Sequence, residues 1–192
     1  MSQNAVLFIM LVILITSSNG TPLNFKNVEM HPNCRNSTYC FERGADYPSA
    51  LIEELVNKTD VIKIDGATTE QRGTTDHSIV TPCELNYSLE PIYQVKDINN
   101  KVRYVVQATR FQQILKVEWC RNKGEITEDK GEYLKIDKLR EDSYSAYCVE
   151  SYSNYRFLVL AEDGNGFESV KALGVPICCR CEIHPMGKII KF

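Results

Sequence analysis

The sequence predicts an all-β, elongated body of two hairpins cross-linked by disulfides, preceded by a short, partly helical or disordered segment. Three observations carry this. Eight cysteines stand in 192 residues; apolar and polar residues alternate in several short runs beyond Cys83; and three sulfurs crowd together at Cys178, Cys179 and Cys181. Adjacent Cα atoms are about 3.8 Å apart, whereas an unstrained disulfide spans roughly 4.4–6.8 Å, so Cys178 and Cys179 are expected to bond elsewhere.

The chain opens MSQNAVLFIMLVILITSSNG. The apolar run from Ala5 to Ile15, followed by small residues with Ser18 and Gly20 before the expected cut, reads as a signal peptide over residues 1–20. That run is shorter than the ~20 residues a membrane-crossing helix needs, and no comparable run recurs, so no membrane insertion is expected. Sequons at Asn36, Asn57 and Asn86 are expected N-glycosylation sites. Leader, sequons and cysteines together indicate a secreted, extracellular protein in an oxidising setting. The net charge of −3, with no basic field, argues against nucleic acid as a partner.

In the segment 21–72, Pro48 can open a helix on which Leu51, Ile52, Leu55 and Val56 share one face, with Glu53 and Glu54 outside. A Cys34–Cys40 bridge is expected to tether it. Residues 65–81, DGATTEQRGTTDHSIVT, have the composition of an exposed linker. Within that linker the bond between Arg72 and Gly73 is open to a trypsin-like protease, which needs extended chain around an Arg or Lys.

Strands follow. VRYVVQ places Val102, Tyr104 and Val106 on one face; LKVEW sets Leu115, Val117 and Trp119 opposite Lys116 and Glu118; YRFLV repeats the pattern with Tyr155, Phe157 and Val159. EDGNG at 162–166 reads as a hairpin turn, because Asp-Gly and Asn-Gly tolerate positive φ, and KDINNK at 96–101 reads as the turn of an earlier hairpin. Residues 121–146 are charged and read as loop, with a helical turn near Ile136–Leu139.

In a strand Cys179 and Cys181 share a face, and Cys178 points to the other. Such a C-x-C pair can make two parallel bridges to neighbouring strands, and a third bridge threaded through their ring makes a cystine knot. Each bridge adds about 2–4 kcal/mol by restricting the unfolded chain. Cys178 is free to meet a second chain. Spacing alone does not choose among the pairings. The only C-x-x-C spacing, Cys178 to Cys181, falls in the crowded CCRC run, and the setting is oxidising, so no metal or cofactor is expected. His31, His77 and His184 are the only histidines. The neighbours in TDHS at 75–78 form no triad, which requires groups held by a fold, and no catalytic residue is expected.

The order Cys83, Cys120, Cys148 and PICCRC, with YSNYRFLVLAEDGNG between them, resembles the Spätzle family, arthropod cytokines with a neurotrophin-like cystine knot that activate Toll receptors. YCFERGADYP resembles the Cys- and Tyr-Pro-containing motif of that family's prodomains. The resemblance implies a prodomain at 21–72 and a cystine-knot cytokine domain at 73–192 (core 83–182). Cleavage after Arg72 by a clip-domain serine protease of trypsin-like specificity is expected, with a Toll-like receptor ectodomain as partner. It also implies Cys83–Cys148 and Cys120–Cys179 bridges, with Cys178 linking a homodimer. The family has a further cysteine shortly after the position of Cys120, partner to the last of the CCxC motif; CRNKGEITED lacks it, leaving Cys181 unassigned. Alternatively Cys178 folds inward, all six pair within the chain, and the dimer is non-covalent.

Three roles are compatible with these residues: an activated pro-cytokine, a non-signalling decoy or antagonist of the same fold, and a secreted cystine-knot inhibitor acting without cleavage. The hairpin tips Ile98–Lys101 and Asp163–Phe167 are candidate receptor contacts, being exposed turns.

Overall fold

The computed structural model describes residues 24–59, 82–130, 132 and 134–186. The expected leader, Arg72 and Gly73 lie outside the described residues. After a short 3-10 turn at Pro32–Cys34 come β1 (Tyr39–Cys40), α1 (Ser49–Lys58), β2 (Leu85–Pro91), β3 (Gln94–Lys96), β4 (Val102–Tyr104), β5 (Ile114–Cys120) and β6 (Gly124–Glu125). Then follow α2 (Ile136–Glu141), β7 (Tyr144–Ser153), β8 (Arg156–Leu160), β9 (Phe167–Lys171) and β10 (Val175–Pro185). The body is all-β with little helix, in keeping with a cystine-knot domain.

The largest sheet has the order β2-β5-β10-β7-β6. Its middle strand, β10, runs antiparallel to β7 from Val175–Ser153 to Pro185–Tyr144, with a bulge between Pro176 and Cys178. It meets β5 in parallel at Ile177–Glu118. β2 lies antiparallel to β5 along its whole length. Neither β2 nor β7 is among the strands that the sequence pattern predicts. β2, LNYSLEP, carries Asn and Pro and forms the sheet edge, the one place a strand tolerates proline; β7, YSAYCVESYS, mixes small, polar and aromatic residues without clean alternation. In residues 121–146 the expected helical turn is α2, while β6 and the start of β7 add strand where loop is expected.

The two hairpins, β3–β4 and β8–β9, are joined by backbone bridges at Val105–Val159 and Asp97–Ala172. Their turns follow the sequence: Asn100 takes φ 61° and Gly164 φ 73°. The Asp97 carboxylate accepts from the N–H groups of Asn99 and Lys101, and Asp163 does so from Asn165, the local bonding that makes Asp a turn former.

Period-two alternation sorts the hairpin residues between two cores. Val95, Val105, Phe157, Val159 and Ala172 point into one; Tyr104, Val106, Leu158 and Leu160 point into the other. Both faces of β8 are therefore buried, where its alternation predicts only one. The second core exists because α1 closes it: Ile52 and Val56 are fully buried there, with Leu51 and Leu55 packed beside them. Pro48 sits just outside this helix, which begins at Ser49. Fully burying each such side chain is worth about 1.5–3 kcal/mol. A third cluster surrounds the cysteines, with Ile126, Leu134, Ile136 and Ala146.

Candidate functional site

Two features concentrate the chemistry: the disulfide cluster, and the contact between residues 24–59 and the hairpins. In the first, Cys83 is bridged to Cys148 and Cys120 to Cys179, tying β5 to β10 and the start of β2 to β7. A third bridge joins Cys34 to Cys40, in the upstream segment. Cys178 and Cys181 remain thiols, both half-buried. Cys181 lies directly opposite Cys148 in the β7–β10 register. Burial, and then the Glu182 carboxylate, push its thiol pKa up, which keeps it protonated and slow as a nucleophile. The Cys178 thiol donates to the Cys179 carbonyl at 3.5 Å. Of the C-x-C pair, then, one sulfur is bridged and one is not.

The upstream segment is bound by strand pairing, by side-chain capture and by the helix. β1 adds to β3, with Tyr39 opposite Val95 and Cys40 opposite Gln94. The Gln94 amide accepts from His31 N–H at 2.8 Å and donates to the Glu29 carbonyl at 2.9 Å. Phe25 N–H reaches the Glu162 carbonyl and the Thr38 hydroxyl reaches the Gly174 carbonyl, at 2.8 and 2.7 Å.

Tyr47 is the deepest polar contact. Its hydroxyl donates to the Val105 carbonyl at 2.8 Å and accepts from Gln107 N–H at 3.0 Å. Its ring meets Tyr93 and Tyr104 edge-on, with centroids 5.1 and 5.7 Å away, and the Arg43 guanidinium lies 5.8 Å from its centre. Burial drives the Tyr47 hydroxyl pKa well above the ordinary phenol value, so it stays neutral and can both donate and accept. The Tyr104 hydroxyl donates to Asp46. Behind this, Gln107 and Gln113 lock the strands: Gln107 donates to the carbonyls of Ile92 and Gln113, and Gln113 to those of Val106 and Leu158.

Glu53, outside the apolar face as expected, accepts from both the hydroxyl and the N–H of Thr109, at 2.7 and 2.6 Å. Those two bonds, the hydroxyl's first, lower its pKa below the usual carboxylate value. Neither contact has a signature in the sequence, since each joins residues more than fifty positions apart.

The hairpin tips are tied to one another. Lys101 pairs with Glu162 at 2.8 Å, and the buried Arg103 bonds Glu168 and the Leu160 carbonyl while facing Asp97 and Glu162 at 3.9 Å. Ile98 and Asp163 stay exposed beside this pairing. Asn36 and Asn57 are exposed; Asn86, on β2, is half-buried and accepts from Arg121 at 3.4 Å. His31 approaches Cys34 and Cys40, but both sulfurs are committed to their disulfide and offer no thiolate for a metal. His184 lies 3.0 Å from Glu182. His77 lies outside the described residues. Among the described residues no helix is long and apolar enough to cross a membrane.

A family model described as Spaetzle matches residues 80–183, more than half of the chain and all of the disulfide cluster. The chain belongs to the Spaetzle family. It is thereby placed among cytokine-like ligands rather than enzymes, in a family of secreted proteins associated with Toll receptors. A search of curated proteins gives no match. The match begins downstream of α1, so residues 24–59 lie outside the matched span and pack onto it.

Proposed function

We propose that the chain is a secreted pro-cytokine of Spätzle type, activated by trypsin-like cleavage after Arg72, whose domain 73–192 dimerises through Cys178 and engages a Toll receptor ectodomain. One observation carries this reading. Residues upstream of the linker complete a hydrophobic core of the family domain, with Ile52, Val56 and Tyr47 packed on Tyr104, Val106, Leu158 and Leu160. A short tether holds such a cover at an effective concentration on the order of millimolar. Once the tether is cut, the cover stays only while its dissociation constant lies below the ambient protein concentration. The cut is thus a switch that needs no rearrangement of the cytokine body.

The apolar surface so uncovered is what a receptor would meet. Glycans at Asn36 and Asn57 would keep the released segment soluble, and one at Asn86 would stay with the cytokine. The test is to treat the secreted protein with a clip-domain protease and run reducing and non-reducing gels with mass spectrometry of the fragments. A cut at Arg72–Gly73, with a product mass that halves on reduction, supports the reading; an uncut linker overturns it.

A second reading rests on the unbridged Cys181. A knot lacking one bridge could occupy receptor or protease without signalling, as a decoy. Competition with an active ligand, without activation of receptor-bearing cells, would favour it.

A further inference from the structure

The contact of Tyr47 with the hairpins is a socket with a chemical preference. Its walls are the rings of Tyr93 and Tyr104. Its floor is backbone: the Val105 carbonyl at 2.8 Å, with the Gln107 carbonyl farther off at 3.4 Å, accepts from the Tyr47 hydroxyl, and Gln107 N–H donates to it. The floor cannot satisfy itself. Gln107 and Gln113 hold the surrounding carbonyls through their own side chains, and their bonds fix the strands, so the two groups cannot turn to other partners. At the rim the Tyr104 hydroxyl takes the Asp46 carboxylate. A phenylalanine in the socket would fill the same volume but leave a buried donor and a buried acceptor unpaired, which costs more than the bonds themselves are worth.

We infer that the socket formed by Tyr93, Tyr104, Val105 and Gln107 is a recognition site for a tyrosine side chain preceded by an acidic residue, which a protein partner presents once residues 24–59 have left. The inference rests on the pro-cytokine reading for the departure of that segment. The occupant is identified by the site's own demands: a phenol oxygen that donates and accepts at once, a flat ring between two aromatic edges, and a carboxylate one position earlier for Tyr104. The chain's own Asp46-Tyr47 pair shows that this combination fits. A partner lacking the hydroxyl is rejected, in the way that sites built to bond a hydroxyl reject analogues without it.

The experiment uses the full chain, with an unrelated protease's recognition sequence placed in the linker so that it can be nicked independently of Arg72. A fluorescent peptide of residues 43–59 is titrated into the nicked chain, beside versions carrying Tyr47→Phe or Asp46→Asn. The tyrosine peptide is expected to bind and release the resident segment, the phenylalanine version to bind about tenfold more weakly or worse, and the asparagine version to lie between. Equal binding of the tyrosine and phenylalanine peptides, or no exchange by any peptide after a day, overturns the socket. Because the nick does not use Arg72, neither result bears on natural cleavage, and an uncut Arg72 leaves this measurement standing.

Discussion

Cys181 faces Cys148 across the pairing of the two longest strands, and Cys148 is the sulfur already bridged to Cys83. A thiol so placed can displace Cys83 from Cys148: the Cys181–Cys148 bond forms, the Cys83–Cys148 bond breaks, and Cys83 leaves as the thiolate. The raised pKa of Cys181 slows this at neutral pH and favours it in alkali. Peptide mapping of the non-reduced protein after incubation at pH 9 is expected to reveal a Cys148–Cys181 peptide that is absent after the same time at pH 6. The variant Cys181→Ser should yield neither.

Cys178 gives a separate test. Cys178→Ser is expected to abolish the species that halves in mass on reduction while leaving thermal stability nearly unchanged, because this thiol holds no intrachain bridge. A covalent dimer persisting in Cys178→Ser but lost in Cys181→Ser would reassign the link.

Ile52→Ala should destabilise the uncleaved chain by about 2–5 kcal/mol, the cost of a cavity where a large aliphatic side chain was fully buried. Since that core is shared, hydrogen exchange should accelerate at Val106, whose N–H donates to the Leu158 carbonyl, and at Leu158, whose N–H donates to the Gln113 side chain, and not only in the helix. Protection changes confined to residues 49–58 would mean that the helix contributes nothing to the hairpins.

Arg103 is buried among Asp97, Glu162 and Glu168. Arg103→Met removes the side chain that bonds Glu168 and the Leu160 carbonyl, and leaves the carboxylates of Asp97 and Glu162 without their shared cation. A loss of about 1–3 kcal/mol in urea unfolding is expected, the cost of leaving the buried Leu160 carbonyl and its charged neighbours without that donor.

Acid should loosen the upstream segment. The Glu53 pKa in the folded chain is lowered by its two bonds to Thr109, so its contribution is fully present above the ordinary carboxylate value of 4.5 and is lost as pH falls through the lower folded value. Retention of the nicked segment, measured by size exclusion, should therefore decline below about pH 4.5. In Glu53→Gln it should be weaker at pH 7 and change less on acidification.

The sequence carries the parts of the fold that depend on local pattern. The hairpin turns at 96–101 and 162–166, the apolar face of α1 and the alternation in YRFLV all reappear, because turn chemistry and periodicity act within a few residues. What it does not carry is what lies on the far side of a strand. Tyr104, Val106, Leu158 and Leu160 need a covering element, and α1 is joined to them only in space. The roles of Tyr47 and Glu53 were invisible for the same reason: their partners, Val105, Gln107 and Thr109, are reached across the linker. The strand β2 was hidden by its Asn and Pro, which an edge strand tolerates and a central one does not.

The middle position of β10 also sets an order of events during synthesis. Both of its neighbours, β5 and β7, precede it in the chain, so each waits with one edge open until β10 is made. Cys83 and Cys148 can meet early, but Cys120 has no partner until Cys179 arrives on that same strand. Closure of the sheet and oxidation of its last bridge are thus one late step, and a chain stalled before it offers two unpaired strand edges and a reduced Cys120 to the chaperones and oxidoreductases of its compartment.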